Sequence, residues 1–96
     1  MTRVVVSPEA LADLRAIREF ISADRPRAAS GVIKRIRDAI RRLARHPGIG
    51  HSRTELGDAH LQYFTARGYT LVYEIVDPEE VHVHRVLGRG QTLRGA

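Results

Sequence analysis

Near residue 60 the spacing of the apolar side chains changes from helical to extended, and this one switch removes most folds from consideration. Ahead of it, Ala10, Leu14, Ile17 and Ile21 recur at intervals of four, three and four, with Phe20 beside them. That spacing predicts a helix over residues 8 to 23 with one buried face. Ser7, Pro8 and Glu9 supply its N-cap, first-turn proline and first-turn acid. After Asp24-Arg25-Pro26 a second helix is expected over residues 26 to 45. Its Ala29, Val32, Ile33, Ile36, Ile40 and Leu43 fall within an arc of roughly 100°, while Lys34, Arg35, Arg37, Arg41, Arg42 and Arg45 surround the rest. The short connection makes the two an antiparallel hairpin, which His46-Pro47-Gly48 ends.

Beyond the switch the period is two. "HLQYFTA" (60 to 66), "YTLVYEIV" (69 to 76) and "EVHVHRVL" (80 to 87) read as three strands. Turns at Arg67-Gly68 and Asp77-Pro78-Glu79 are too short for anything but antiparallel neighbours. Residues 49 to 58 show recurring glycine and no period, so a loop is expected there. With the β-branched run "TRVVVS" as a first strand, the order is β-α-α-β-β-β. This is an α+β fold in which a helix hairpin packs on a small, mainly antiparallel sheet. A chain of 96 residues has room for one such core, so residues 1-96 are expected to form a single domain.

Hydrophobic residues at 43% and charged residues at 28% fit a folded, water-exposed domain. No apolar run approaches the ~20 residues that span a bilayer, and residues 1 to 8 lack a secretory apolar segment, so the expected location is the cytoplasm. The chain has no cysteine, which excludes disulfides, thiolate catalysis and cysteine-based zinc sites. Sixteen Lys and Arg against eleven Asp and Glu leave a formal charge of +5, and every basic residue but Lys34 is arginine. Arginine suits bidentate contacts to carboxylate or phosphate, so an acidic partner is expected: a nucleic acid, a ribosome or an acidic protein segment.

His82 and His84 stand at i and i+2 on a strand and share a face, which is a chelating arrangement for zinc only if a third ligand joins from His46, His51, His60 or Glu74. Nothing in the spacing demands one, so no metal and no cofactor are expected. Gly88-Arg89-Gly90 is not followed by a helix whose N-terminus would hold an anion, so it reads as a strand terminator rather than a phosphate loop. Arg85 lies in register with Val81, Val83 and Leu87, and Arg89 stands just past the strand end. Tyr63, Phe64, Tyr69 and Tyr73 are grouped on two neighbouring strands, as core-filling sheet residues or as a stacking surface. Ser7, Ser22, Ser30 and Ser52 have no fixed relation to a His and an acid, so no catalytic triad is assigned.

The segments "SPEALADLRAIREFI", "DRPRAASGVIKRIRDAIRRLARHPGIG", "RGYTLVYEI" and "VHVHRVLGRG" together resemble the RelE/ParE superfamily of bacterial toxins. The resemblance covers nearly the whole chain, and its most specific parts are "HPGIG" after the long helix and the "RGYTLVYEI" strand. It implies one of two activities. The RelE branch cuts messenger RNA on the ribosome, using several Lys/Arg on the sheet and, in its best-known members, a C-terminal tyrosine; the ParE branch poisons DNA gyrase. Where cleaving members carry basic groups this chain has Leu61, Tyr63 and Thr70, only Arg89 keeps its counterpart, and no tyrosine follows Tyr73. The resemblance therefore implies a ParE-type toxin without catalytic residues or small-molecule substrate.

It also implies a co-encoded, acidic, ParD-like antitoxin in a hetero-oligomer. Phe20 and Tyr63 are the expected apolar contacts, and Arg37 and Arg41 the expected partners of its carboxylates. The toxic surface is expected at Arg67, Arg85 and Arg89, because an antiparallel return of the last strand brings its Leu87 end back towards the Arg67-Gly68 turn.

Overall fold

The computed structural model describes residues 2–52 and 60–88. Strand β1 (Arg3–Val6) leads into helix α1 (Pro8–Ser22), and α2 (Pro26–Arg45) follows. A 3-10 turn (Pro47–Ile49) precedes β2 (His51–Ser52), β3 (Gln62–Ala66), β4 (Tyr69–Asp77) and β5 (Glu80–Leu87). The three strands expected after the period switch are β3, β4 and β5, while β1 and β2 lie ahead of it.

Ser7 joins the first two elements with one hydroxyl. Its Oγ accepts the Ala10 N–H at 3.0 Å as the α1 N-cap and donates to the His84 carbonyl at 2.9 Å. The start of α1 is therefore stitched to β5. Helix α2 has no side-chain cap at Arg25, but Pro26 opens it and Arg42 and Arg45 lie in its last turn, where cations face the negative end of the helix dipole.

The strands form a five-stranded sheet in the order β1-β5-β4-β3-β2. β1 runs parallel to β5, with Arg3 opposite Glu80 and Val6 opposite Val83, and the other pairings are antiparallel. The short β2 lies within the stretch expected to be loop; two backbone pairings with β3, at His51↔Tyr63 and Ser52↔Gln62, leave no periodic signal to detect. Between β3 and β4 both Arg67 (φ 58) and Gly68 (φ 85) adopt the left-handed backbone that a tight two-residue hairpin turn requires.

The main core lies between the helices and one face of the sheet. Ala10, Leu14, Ile33, Ile36, Ala39 and Leu43 from the helices meet Leu71, Tyr73, Val81, Val83 and Val86. A smaller cluster of Tyr63, Val72 and Leu87, with Leu61 against it, occupies the other face, since Val72 alternates with Leu71 and Tyr73.

One feature corrects the sequence reading. A bulge opposite the Val72/Tyr73 step places Val83 against Tyr73 but Arg85 against Val72, leaving His84 as the extra residue. The alternation along β5 therefore resets, so that Val86 joins Val81 and Val83 in the main core and Leu87 falls in the other cluster, out of register with them. Tyr73 fills the core, one of the two readings of its position: it is fully buried, and its hydroxyl donates to the Pro47 carbonyl at 2.7 Å and accepts the Gly50 N–H at 2.9 Å. One side chain thus locks the turn after α2 onto the sheet.

Candidate functional site

An apolar groove of about 520 Å³ runs along α1, bounded by Ala16, Ile17, Phe20 and Ile21 on the helix and by Tyr69, Val86 and Gly88 from the sheet. It exists because β1 stops at Val6 while β5 continues to Leu87, so the last residues of β5 have no strand beside them on that side. Phe20 projects from its helical wall with 84% of its surface exposed. An aromatic ring that open on a folded domain is a site for something apolar to dock.

Asp13 sits at the inner end of the groove and settles the exposed β5 edge. Its Oδ2 accepts the Val86 N–H at 2.8 Å, and its two oxygens accept Arg85 Nε at 2.8 Å and Nη2 at 3.1 Å. The carboxylate thereby takes the place of a missing strand partner and holds a bidentate arginine. That side-chain bond to Asp13 holds the Arg85 guanidinium more firmly protonated than usual.

This arrangement separates two of the three arginines expected at the toxic surface. Arg85 is bound to Asp13 on α1, whereas Arg67 borders a different recess with Arg35 and Arg42 of α2. The register does bring the Leu87 end of β5 opposite Thr70, beside the Arg67-Gly68 turn. Arg89 lies outside the described residues.

The expected antitoxin contacts also separate. Phe20 lines the groove, and Arg37 lines a recess between the helices with Leu11, Leu14, Arg15, Arg18 and Ile33. Arg41 is paired with Asp38 at 2.6 Å. Tyr63 is only 4% exposed, packed with Val72 and Leu87 on the sheet face away from the helices, so it fills a core rather than presenting a docking surface.

Each strand histidine is engaged with a carboxylate. His82 Nε2 lies 2.7 Å from Glu80 Oε2, and His84 Nε2 lies 3.0 Å from Glu74 Oε1. Glu80 also accepts from the Arg3 guanidinium, and Arg3 first and His82 second hold its carboxyl below the usual carboxylate range. Among the described residues no three His, Asp or Glu side chains converge as a metal site would need, and no helix is long and apolar enough to cross a membrane.

Asp13 was the residue missed at the sequence level, although its position carried a signal. It falls three residues after Ala10 and four before Ile17, an acid on the buried stripe of α1. A charge on such a stripe requires a partner, and Arg85 supplies it.

The side chains of Leu61, Tyr63 and Thr70 are otherwise occupied. Leu61 and Tyr63 belong to the small apolar cluster, and Thr70 shares a hydroxyl hydrogen bond with Thr65 at 2.8 Å.

Comparison with curated protein sequences gives no match. Among solved structures, the chain is similar to one described as the chromosomal ParDE TA system from P. aeruginosa, with a TM-score of 0.78 at 18% identity over 93% of this chain and 97% of that one. At that identity the likeness establishes the fold. The family model of the ParE toxin of the type II toxin-antitoxin system parDE matches residues 4–93. With nearly the whole chain covered, the protein belongs to the ParE toxin family of type II toxin-antitoxin systems.

Proposed function

We propose that this toxin acts without catalysis, by inhibiting DNA gyrase, and that a co-encoded acidic antitoxin neutralises it by filling the groove beside Phe20. The observation that carries the non-catalytic reading is the state of Leu61, Tyr63 and Thr70. Cleavage of RNA needs groups that activate a 2′-OH, stabilise the charge on phosphorus and protonate the leaving oxygen. A packed Leu61-Tyr63-Val72-Leu87 cluster and a Thr65-Thr70 hydroxyl pair supply none of these. Arg67 and Arg89 remain the arginines assigned to the target, while Arg85 is bound to Asp13 at the end of β5.

For the antitoxin, the groove offers apolar anchor positions, and the neighbouring recess places Arg15, Arg18 and Arg37 around Leu11, Leu14 and Ile33. An acidic segment with periodic apolar residues fits both. Its affinity rests on the anchors, because ordering a disordered tail costs a few kcal/mol that burial has to exceed, while charge sets mainly the rate of encounter. In about 1 M salt, where the Debye length is ~3 Å, association is expected to slow and the complex to survive.

Expression of the chain without its antitoxin tests the main reading. Filamentous cells with broken DNA are the expected result; immediate arrest of translation with cleaved messages would assign the ribosome-dependent nuclease activity instead, and unimpeded growth would mark a toxin that has lost its action.

A further inference from the structure

We propose that the recess between α2 and the β3-β4 turn, lined by Arg35, Arg42 and Arg67, grips the phosphate backbone of duplex DNA. The site is separate from the groove assigned to the antitoxin and does not depend on gyrase being the target. Helix α2 holds the charge excess of the molecule: seven Lys and Arg against the single acid Asp38, in a chain whose formal charge is +5. Asp38 also lines the recess, but its carboxylate is already engaged by Arg41. Among the described residues Arg35, Arg42 and Arg67 make no ion pair, although all three border one recess of about 200 Å³.

One of these cations is held by a ring and another stands on a constrained backbone. The Arg42 guanidinium lies over the Phe64 ring, 5.8 Å from its centre, with no acceptor among the described residues engaging its N–H groups. Arg67 occupies the first position of a turn where both residues have positive φ, a place that Asn, Asp or Gly takes without strain. A large cation kept at a strained turn beside two further unpaired cations is costly in self-repulsion unless an anion binds there.

The chemistry of the recess selects among anions. An acidic protein tail needs apolar anchors, yet the floor here is Ala39, Ala66 and a Phe64 ring beneath Arg42. A single nucleic-acid strand needs open aromatic faces to stack on, and the recess has none free. Duplex RNA is distinguished through its 2′-hydroxyls by varied polar side chains, whereas the unpaired polar groups here are guanidiniums. What remains is the regular phosphate ridge of duplex DNA, one charge per ~1.7 Å of axis, laid against a straight helix ~30 Å long.

Fluorescence anisotropy of the purified chain with a labelled short DNA duplex of mixed sequence, titrated with salt, tests this. The plot of log affinity against log salt is expected to flatten by about 0.9 for each of Arg35→Ala, Arg42→Ala and Arg67→Asn. Each substitution should therefore reduce the weakening between about 50 and 200 mM salt by about 3.5-fold. Asparagine tolerates the left-handed turn, so Arg67→Asn is expected to melt no lower than the parent while losing its share of the slope. Arg25→Ala, outside the recess, keeps the parental slope. Equal slopes for the parent and the Arg35→Ala/Arg42→Ala/Arg67→Asn triple variant would overturn the proposal. So would displacement of the duplex by poly-glutamate at equal charge, an RNA duplex binding tenfold tighter, or no duplex binding at the lowest salt.

Discussion

Tyr73 does its work through one phenolic oxygen. Burial pushes the phenol's pKa up and the Gly50 N–H bond opposes that rise, with burial the larger effect. The folded chain therefore keeps a proton that the unfolded chain releases near pH 10, so stability should fall as pH rises past about 10, by at most ~1.4 kcal/mol per unit. Tyr73→Phe should abolish that alkaline decline in denaturant titrations, and at neutral pH it should cost about 1–3 kcal/mol by leaving the Gly50 N–H and Pro47 carbonyl unpaired. Gly50→Ala attacks the same junction from the other side. A Cβ there would stand 2.5 Å from the Tyr73 oxygen and 2.8 Å from the Tyr63 carbonyl, so a marked drop in melting temperature is expected. The sequence showed "HPGIG" and "GYTLVY" as separate motifs; that they are the two halves of one contact is a tertiary fact, invisible to either spacing. Asp13 was more legible, because an acid on an apolar stripe announces a buried partner. Asp13→Ala should destabilise by about 1–3 kcal/mol, since it strips the Val86 N–H and the Arg85 guanidinium at once, whereas Arg85→Ala should cost less because that side chain is partly exposed.

Among the elements, α2 was read most completely, because nearly every residue on it obeys one period: Ala29, Ile33, Ile36 and Leu43 are buried and the arginines are not. Its weak point is Gly31, in mid-helix with nothing within 4 Å of where a Cβ would project. Gly31→Ala should therefore stabilise the protein by about 0.5–1 kcal/mol, visible as a raised denaturation midpoint. Strand β5 was read half correctly. Val81 and Val83 follow the period, but the bulge at His84 breaks it, and an inserted residue leaves no mark in a strand whose neighbours are all β-branched or polar. Independently of that break, Arg85 is bound by Asp13 of α1, a pairing that strand alternation does not reveal. Strand β2 escaped because two residues cannot show a period.

At the scale of the whole molecule, the helix hairpin and the mixed sheet enclose one core, and the partners are assigned to what that core leaves uncovered. The groove under Phe20 opens where β1 ends short of β5, the recess of Arg15, Arg18 and Arg37 lies between the helices, and the Arg35-Arg42-Arg67 recess faces the β3-β4 turn. Composition indicated an acidic partner but could not divide the arginines among these places, because division depends on which ones already hold an acid. Phe20→Ala should leave the fold near the parental stability, since the ring is 84% exposed, while weakening antitoxin capture in a pull-down or calorimetric titration. The most direct measurement is an assay of purified toxin on purified gyrase with relaxed plasmid and ATP, read on a gel for supercoiling and for cleaved DNA. Loss of supercoiling with accumulation of gyrase-linked DNA breaks, reversed by adding the antitoxin, is the expected result. Unaltered supercoiling, together with cleavage of messenger RNA when the same preparation is added to translating ribosomes, would contradict it.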